Sequence, residues 1–322
     1  MKLRRYTAVF ICLILIMSLL CACSAPSEPE PAPSAVPTAT QEPAPTPSPE
    51  VKEFRISECR PIVENGKYVC NPYLLTEECT DCYGEGFAEF YKGFVAAFMN
   101  YETSCPCPDE EYAKAVNTVA GYECPFFSPD DINCNWATDY DYDACVLSWS
   151  YNISDKELKE RIETVTAEIQ GLLDLVSASD AEDNKIQTLY HAFCPLMSYD
   201  NDAAVSRQAI DAFNAFTEHR GICVTFATAF CELVSQAGLT ATQASGNTDS
   251  GGSHAWNYIR VNGNWYFFDP TFELSSFEGG AFTYYGMTMA EREESGIQEE
   301  NMWIGVYTTI EPQTPEKGLF VK

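Results

Sequence analysis

Two short runs of aromatic and β-branched residues, joined by Asn262-Gly263, most constrain how this chain folds. The runs cover residues 256–261 and 265–269. An Asn-Gly pair between two such runs predicts a two-residue β-hairpin turn, because both turn residues adopt a positive φ. The sequence therefore predicts an antiparallel pair of strands in the second half of the chain.

The register of this hairpin brings two polar residues together. The turn places Val261 opposite Asn264, and extending the same register places His254 opposite Thr271. Asp269 then lies on the same face as His254, as a diagonal neighbour within side-chain reach. A slip of one residue would put the two side chains on opposite faces. The pattern therefore predicts a carboxylate that can hold the imidazole.

An apolar helix precedes the hairpin and begins near a cysteine. Residues 224–237 carry apolar side chains at helical spacing, and Gly238 is a typical helix stop. Cys223 then lies in the first turn, where the helix dipole favours a thiolate and N–H groups can bind an oxyanion. The alternative is a small cysteine that packs at the start of a core helix. Cys231 is interpreted as a core residue.

Cys223, His254 and Asp269 together provide the three groups that a thiol acyl-transfer enzyme needs: a nucleophile, a base and an orienting carboxylate. The chain has three histidines, so few residues are available as the base. Each residue also has an ordinary explanation, as a helix-capping cysteine, a loop histidine and a turn aspartate. The combination favours a catalytic site.

Three motifs resemble the transglutaminase-like superfamily over about residues 180–273. They are Gly-Ile-Cys at the helix start, His-Ala-Trp-Asn at 254–257, and Gly-x-Trp-Tyr-x-x-Asp-Pro-Thr at 263–271. The resemblance implies an α+β fold with a papain-like core and an N-terminal helix-rich extension. It also implies that Cys223 is the nucleophile, His254 the general base and acid, and Asp269 the residue that orients the imidazole.

The resemblance says less about the substrate pocket. Family members often have Gln-Gly-Tyr directly after the cysteine, and this chain has Val-Thr-Phe at 224–226. The segment 196–200 is similar to the segment that precedes the cysteine helix in the family, which makes Tyr199 a candidate oxyanion or pocket residue. Trp256, beside the histidine, is a second candidate pocket residue, with a core position as the alternative.

The first fifty residues have the composition of a targeting signal followed by a linker. Residues 1–22 have a basic start and a short apolar run, typical of a signal peptide, and Leu-Cys-Ala-Cys at 20–23 resembles a bacterial lipoprotein cleavage site. Cys23 is then the lipid-bearing residue. A plain transmembrane anchor is the alternative. Residues 23–50 are rich in Pro, Ala, Ser, Thr and Glu, which predicts a disordered linker.

The remaining residues divide into two predicted parts. Residues 51–179 are a cysteine-rich N-terminal extension, in which we expect helices over 87–100 and 154–176 and a strand over 144–151. Residues 180–322 are the transglutaminase-like domain, with helices over 180–193 and 289–296. Helices that cluster before the hairpin strands favour an α+β arrangement over alternating α/β.

The net charge and the cysteine content limit which partners, metals and disulfides are expected. The formal net charge of −28 and the absence of a basic cluster argue against binding to nucleic acid. Disulfides are the default for cysteines outside the cell, although the pairing cannot be deduced. A four-thiolate zinc site from Cys79-x-x-Cys82 and Cys105-x-Cys107 is a minority alternative, and reduced thiols are another. We therefore predict no metal and no cofactor.

These observations predict a lipid-anchored enzyme on the extracellular face of the cell membrane. It would act on a protein or peptide substrate, such as a cell-wall peptide, through the Cys-His-Asp triad. Hydrolysis, as in a peptidase or amidase, is favoured over cross-linking acyl transfer because many bacterial members of the superfamily look hydrolytic. The alternative is a non-catalytic surface binding or scaffold protein that retains the fold.

Overall fold

A computed structural model describes residues 54–206, 211–276, 282–306 and 313–319. The predicted signal peptide, the lipidation site at Cys23 and the linker up to residue 50 lie outside the described residues. In the described ranges, every helix is too short or too polar to cross a lipid bilayer.

The described helices cluster in the first two thirds of the chain. Several of the predicted helices are confirmed, with small differences at their ends. The bounds are α1 Glu77–Tyr83, α2 Glu85–Met99, α3 Glu110–Glu123, α4 Trp136–Asp139, α5 Asp155–Leu173, α6 Glu182–Phe193, α7 Asn201–Ser206, α8 Ala212–Thr217, α9 Cys223–Gln236, α10 Pro270–Ser276 and α11 Met289–Glu294.

The main sheet has four antiparallel strands in the order β12-β11-β10-β13, and the other strands form small sheets. The mixture of separate helical and sheet regions confirms the α+β class. The bounds are β1 Ile62–Glu64, β2 Lys67–Val69, β3 Ser104–Pro106, β4 Ile132–Asn133, β5 Tyr140–Asp141, β6 Val146–Ser148, β7 Ser150–Tyr151, β8 Ser198–Tyr199, β9 Arg220–Gly221, β10 Thr240–Asn247, β11 Ser253–Val261, β12 Asn264–Phe268 and β13 Met302–Ile304.

Local chemistry explains where the longest helix begins. The Glu157 backbone N–H donates to the Ser154 hydroxyl, and the Ser154 backbone N–H donates to the Glu157 carboxylate. This reciprocal pair is a capping box, which satisfies two backbone donors at the start of α5. The single strand expected over 144–151 is instead two short strands with different partners, since β6 pairs with β3 and β5 whereas β7 pairs with β4.

The predicted hairpin is confirmed as far as Phe268. Val261 pairs with Asn264, and the same register continues to Asn257 opposite Phe268. The extension of this register to His254 and Thr271 is wrong, because α10 begins at Pro270 and takes the chain out of the ladder. His254 pairs with Gly246 of β10 instead.

Both faces of the main sheet are buried. Helix α9 packs on β10 and β11, and its apolar side belongs to the main core. The opposite face carries a second, smaller cluster of buried residues: Ala244, Trp256, Tyr258, Phe267, Met287, Ile297 and Ile304. Strand β11 is therefore held between the cysteine helix on one side and the C-terminal elements on the other.

The cysteine helix is also bonded to the first part of the chain. At the end of α9, the Gln236 side chain accepts from the Asn71 backbone N–H and donates to the Asn71 carbonyl, each at 2.8 Å. Both residues are almost fully buried. The described residues belong to one compact unit, and the main core includes residues from both predicted parts of the chain. The boundary expected between residues 179 and 180 stays a prediction.

The structure forms no disulfide within its described ranges, unlike the default expectation for extracellular cysteines. Many of the cysteines are buried among apolar side chains. Cys79 is buried while Cys82, three residues later on α1, is exposed. No cluster able to hold a metal ion occurs among the described residues.

We predict that Gln236→Leu destabilises the protein by about 3 kcal/mol, because it leaves the buried Asn71 backbone N–H without a partner and removes the donor that Gln236 gives to the Asn71 carbonyl and to the buried Glu232 carboxylate. Urea unfolding monitored by circular dichroism measures this. The matched control is Gln187→Leu on α6, at a half-buried position, for which we expect less than about 1 kcal/mol. Equal losses in the two variants would contradict the bridging role of Gln236.

Candidate active site

Cys223 is the first residue of α9, as the apolar pattern predicts. A side chain at Gly221 would collide with Thr225, since a Cβ there would lie 2.5 Å from the Thr225 methyl group. Gly221 therefore allows the chain to enter the helix closely against its own first turn. The Ile222 backbone N–H donates to the Thr225 hydroxyl at 3.2 Å and completes this entry.

A short parallel pairing brings Tyr199 to the cysteine. Tyr199 on β8 pairs with Gly221 on β9, two residues before Cys223. Tyr199 is 37% exposed, so its ring lies at the surface beside the thiol. Partial burial, with a smaller effect of the nearby Cys223 thiolate, raises the pKa of the Tyr199 phenol. The role of Tyr199 as an oxyanion or pocket residue stays a prediction.

His254 lies near the start of β11 and connects the other two predicted residues. Its Nε2 is 2.8 Å from the Asp269 Oδ2. The Cys223 side chain is also a hydrogen-bond partner of the imidazole. With Nε2 bonded to the carboxylate, Nδ1 is the ring nitrogen left for the thiol. The geometry thus brings together all three residues that the sequence pattern singles out.

The environment favours the protonated form of His254. Burial alone lowers the pKa of the imidazole, but the Asp269 carboxylate and then Cys223 outweigh burial and raise the pKa to about 9. An imidazole with this pKa holds a proton firmly enough to accept it from a thiol. The cause is geometric, because Asp269 lies at hydrogen-bonding distance in a site with little water.

Asp269 is fully buried at the junction of β12 and α10. Its Oδ1 accepts the Phe272 backbone N–H at 2.9 Å, and its own backbone N–H donates to the Tyr284 carbonyl at 3.0 Å. Burial would raise the pKa of this carboxyl, but the His254 ring, and then the Arg292 guanidinium, hold it below its usual value. The carboxylate is therefore fixed in position and ionised.

Two aromatic rings support the imidazole. Phe272 stacks on the His254 ring with centroids 4.2 Å apart, and Trp256 lies at 5.7 Å. Trp256 has no exposed surface. This burial favours a supporting position for Trp256 over the pocket wall that the sequence suggested as one alternative.

Arg292 is the residue of the site that the sequence analysis missed. It lies on α11, in an acidic hexapeptide (Met-Ala-Glu-Arg-Glu-Glu), and is fully buried. Its Nη2 donates to the Asp269 Oδ2 at 3.0 Å. A basic residue on an acidic helix normally indicates a solvated surface, so no local signal identifies this contact.

Burial increases from the thiol to the carboxylate. Cys223 is half-buried, His254 is 7% exposed and Asp269 has no exposed surface. The thiol is thus open to a substrate while its partners are shielded from water, which strengthens their electrostatic interactions. The first N–H groups of an α-helix have no carbonyl partner one turn earlier, which makes the Cys223 N–H at the start of α9 a candidate donor to a developing oxyanion.

We predict that raising the pH from 6.5 to 8 lowers the free energy of unfolding through His254. The pKa of His254 is about 9 in the folded protein and near 6.5 in the unfolded chain, so its stabilisation is complete below pH 6.5 and is lost toward pH 9. Over this range the loss is about 2 kcal/mol, and urea unfolding at each pH measures it.

The control for this pH dependence is a pair of histidine variants. His254→Gln removes the titrating group, and we expect its stability to change little over the same range. His191→Gln keeps the site, because His191 stacks on Phe282 instead, and should show the wild-type dependence. A parallel pH dependence in wild type and His254→Gln would contradict the prediction.

Comparisons with solved structures give distant likenesses. The chain is similar to a TGase (19% identity, 40% of this chain and 35% of that chain, TM-score 0.31) and to a proposed cysteine protease from Cytophaga hutchinsonii (18%, 34% and 37%, 0.28). It is also similar to an arylamine N-acetyltransferase from Bacillus cereus with a Cys-His-Glu catalytic triad (11%, 33% and 48%, 0.27). The chain spans less than half the length of each of these structures.

A search among curated proteins finds no match. The family model of the transglutaminase-like superfamily matches residues 172–270. This segment begins within α5 and ends at the first residue of α10, so it includes Cys223, His254 and Asp269 but not Arg292. Residues 172–270 of this chain therefore match the transglutaminase-like superfamily.

Proposed function

We propose that this protein is a thiol enzyme that cleaves amide bonds in a protein or peptide substrate. The observation that supports this most directly is the continuous series of contacts from Cys223 to His254 and from His254 to Asp269. A nucleophile, a base and an orienting carboxylate in this order are what amide acyl transfer through a thiol requires.

In the first half of the proposed reaction, His254 takes the proton of Cys223. The thiolate attacks the amide carbonyl carbon, and backbone N–H groups at the start of α9 donate to the resulting oxyanion. The C–N bond then breaks as His254 returns the proton to the leaving amine. The product of this half-reaction is a thioester on Cys223 and a free amine.

The second half decides the reaction class. Water attacks the thioester in a peptidase or amidase, whereas a second amine attacks it in a cross-linking enzyme. The triad serves both outcomes equally. We favour hydrolysis, on the resemblance to bacterial members of the superfamily, and a cell-wall peptide as the substrate. The chain's net charge of −28 is compatible with a basic peptide.

A non-catalytic binding protein is the second candidate function. The observation that favours it is Val-Thr-Phe at 224–226, which replaces the sequence that often follows the cysteine in the family. A protein of this kind would retain the fold and the three residues without turnover.

The first experiment is the pH dependence of Cys223 alkylation by iodoacetamide, read peptide by peptide with mass spectrometry. We expect an apparent pKa well below the free-thiol value of about 8.5 in wild type, and its return toward that value in His254→Ala. Cys231, two turns along the same helix, is the internal control and should not show this dependence on His254. A Cys223 that titrates as an ordinary thiol in both proteins would favour the binding protein.

Activity gives the second measurement. Incubation with a peptide library, with and without a labelled primary amine, distinguishes hydrolysis from acyl transfer by the product masses. We expect Cys223→Ala to lose roughly 10³-fold or more of any activity found, and Cys231→Ala to retain it. An activity that Cys223→Ala keeps in full would exclude the proposed thiol mechanism.

We also propose that the protein is anchored to the cell membrane through a lipid on Cys23, on the extracellular face. The support is the Leu-Cys-Ala-Cys sequence after a short apolar run. Cys23→Ser should move the protein from the membrane fraction to the soluble fraction, and mass spectrometry of the wild-type N-terminal peptide should find a modified Cys23. A mature N-terminus at any other residue would contradict the anchor.

A further inference from the structure

The buried guanidinium of Arg292 has an unusual set of neighbours. Its Nη2 donates to the Asp269 Oδ2, its Nη1 donates to the Ser295 hydroxyl at 3.0 Å, and its Cζ lies 4.2 Å from the centre of the Trp256 ring. A second ring, Phe272, lies 5.4 Å from the same carbon. The guanidinium is thus held from three sides with no exposed surface.

Such burial is costly unless the charge is paired. Transferring a guanidinium from water to a protein interior is unfavourable, and apolar residues of similar size often stabilise a core equally well. Here the pairing partner is the carboxylate oxygen that also bonds His254. The position of Arg292 is therefore better explained by its effect on this oxygen than by packing.

Two consequences follow for the imidazole. Donors on both carboxylate oxygens, from His254 and Arg292 to Oδ2 and from the Phe272 backbone N–H to Oδ1, fix the plane of the Asp269 carboxylate. A cation on Oδ2 also offsets part of the negative charge that holds the proton on His254. An imidazole held less tightly gives up its proton more readily to a leaving amine.

We propose that Arg292 is a positioning residue of the thiol site, which anchors the Asp269 carboxylate and weakens its hold on the His254 proton. This inference rests on the proposed function, because it assigns Arg292 a role in the proton transfer between Cys223 and His254. It extends the site beyond the matched segment 172–270 to a helix that begins about twenty residues later.

Other ionisable groups lie around His254, Asp269 and Arg292, and the substitutions of the test leave these groups in place. The Glu273 carboxylate is occupied by donors from Tyr190, Ser276 and two backbone N–H groups. The groups that interact with His254, Asp269 or Arg292 from the packed elements are Cys223 on α9, Tyr190 on α6, Cys194 after α6, and Tyr284 before α11, with Glu273 on α10 adjacent.

The test compares a neutral and a charged replacement. Arg292→Gln can still donate to Asp269 but lacks the charge, whereas Arg292→Lys keeps the charge. With only three histidines in the chain, the His254 side chain can be followed by NMR of ¹⁵N-histidine-labelled protein. We expect the pKa of His254 to rise by about 1 in Arg292→Gln and to return close to the wild-type value in Arg292→Lys.

Iodoacetamide alkylation of Cys223 gives an independent readout. The upper limb of its pH profile, where His254 loses its proton, should move to higher pH by the same amount in Arg292→Gln. The matched control is Arg161→Met, since Arg161 is another largely buried arginine that pairs with an aspartate, Asp131, and lies 3.9 Å from the ring of Phe213. This control should lose stability without changing the pKa of His254.

The outcomes separate the inference from the proposed function. If wild-type Cys223 alkylates like a free thiol, the proposed function fails and the inference with it. If wild type has the lowered thiol pKa but the pKa of His254 is the same in Arg292→Gln, the inference alone is overturned. If Arg292→Gln does not fold, the NMR resonance of Arg292 Nε in the wild-type protein provides the test. This resonance should shift with pH as His254 titrates. A resonance that does not shift overturns the inference.

Discussion

The interaction on which the site depends is the buried ionised carboxylate of Asp269. An isolated carboxylate without exposed surface would take up a proton, because burial disfavours its charge. Asp269 stays ionised because His254, Arg292 and the Phe272 backbone N–H all donate to it. Removing any one of these donors leaves a buried charge with fewer partners. The carboxylate thus connects β11, α10 and α11 as well as orienting the imidazole.

Local patterns predicted much of this arrangement. The Asn-Gly turn fixed the register between β11 and β12, which in turn placed Asp269 near His254. Apolar spacing predicted a helix that begins near Cys223, and α9 begins at this residue. Both features depend on a few adjacent residues. The prediction extended the ladder beyond its observed end at Asn257 and Phe268, since a helix begins at Pro270. The contact survives because the His254 side chain reaches across this departure.

The contacts of Arg292 and the Gln236–Asn71 bridge could not be predicted from local sequence patterns, and the cause is physical. Each contact joins residues that are far apart in sequence, 23 positions for Arg292 and Asp269 and 165 for Gln236 and Asn71. Neither side chain breaks the local pattern around it, and a polar residue on a helix indicates solvent more often than core. Only the packing of whole elements determines which of these side chains becomes buried.

The close approach of Gly221 to Thr225 has a consequence for how this site tolerates change. Because there is no room for a Cβ at Gly221, steric exclusion acts together with the Ile222–Thr225 hydrogen bond to set the direction in which the chain enters α9. Any substitution there rotates or shifts the first turn, and Cys223 moves with it while His254 stays on its strand. A substitution at Gly221 would therefore change the distance between the Cys223 thiol and the His254 imidazole, although Gly221 is neither of these residues.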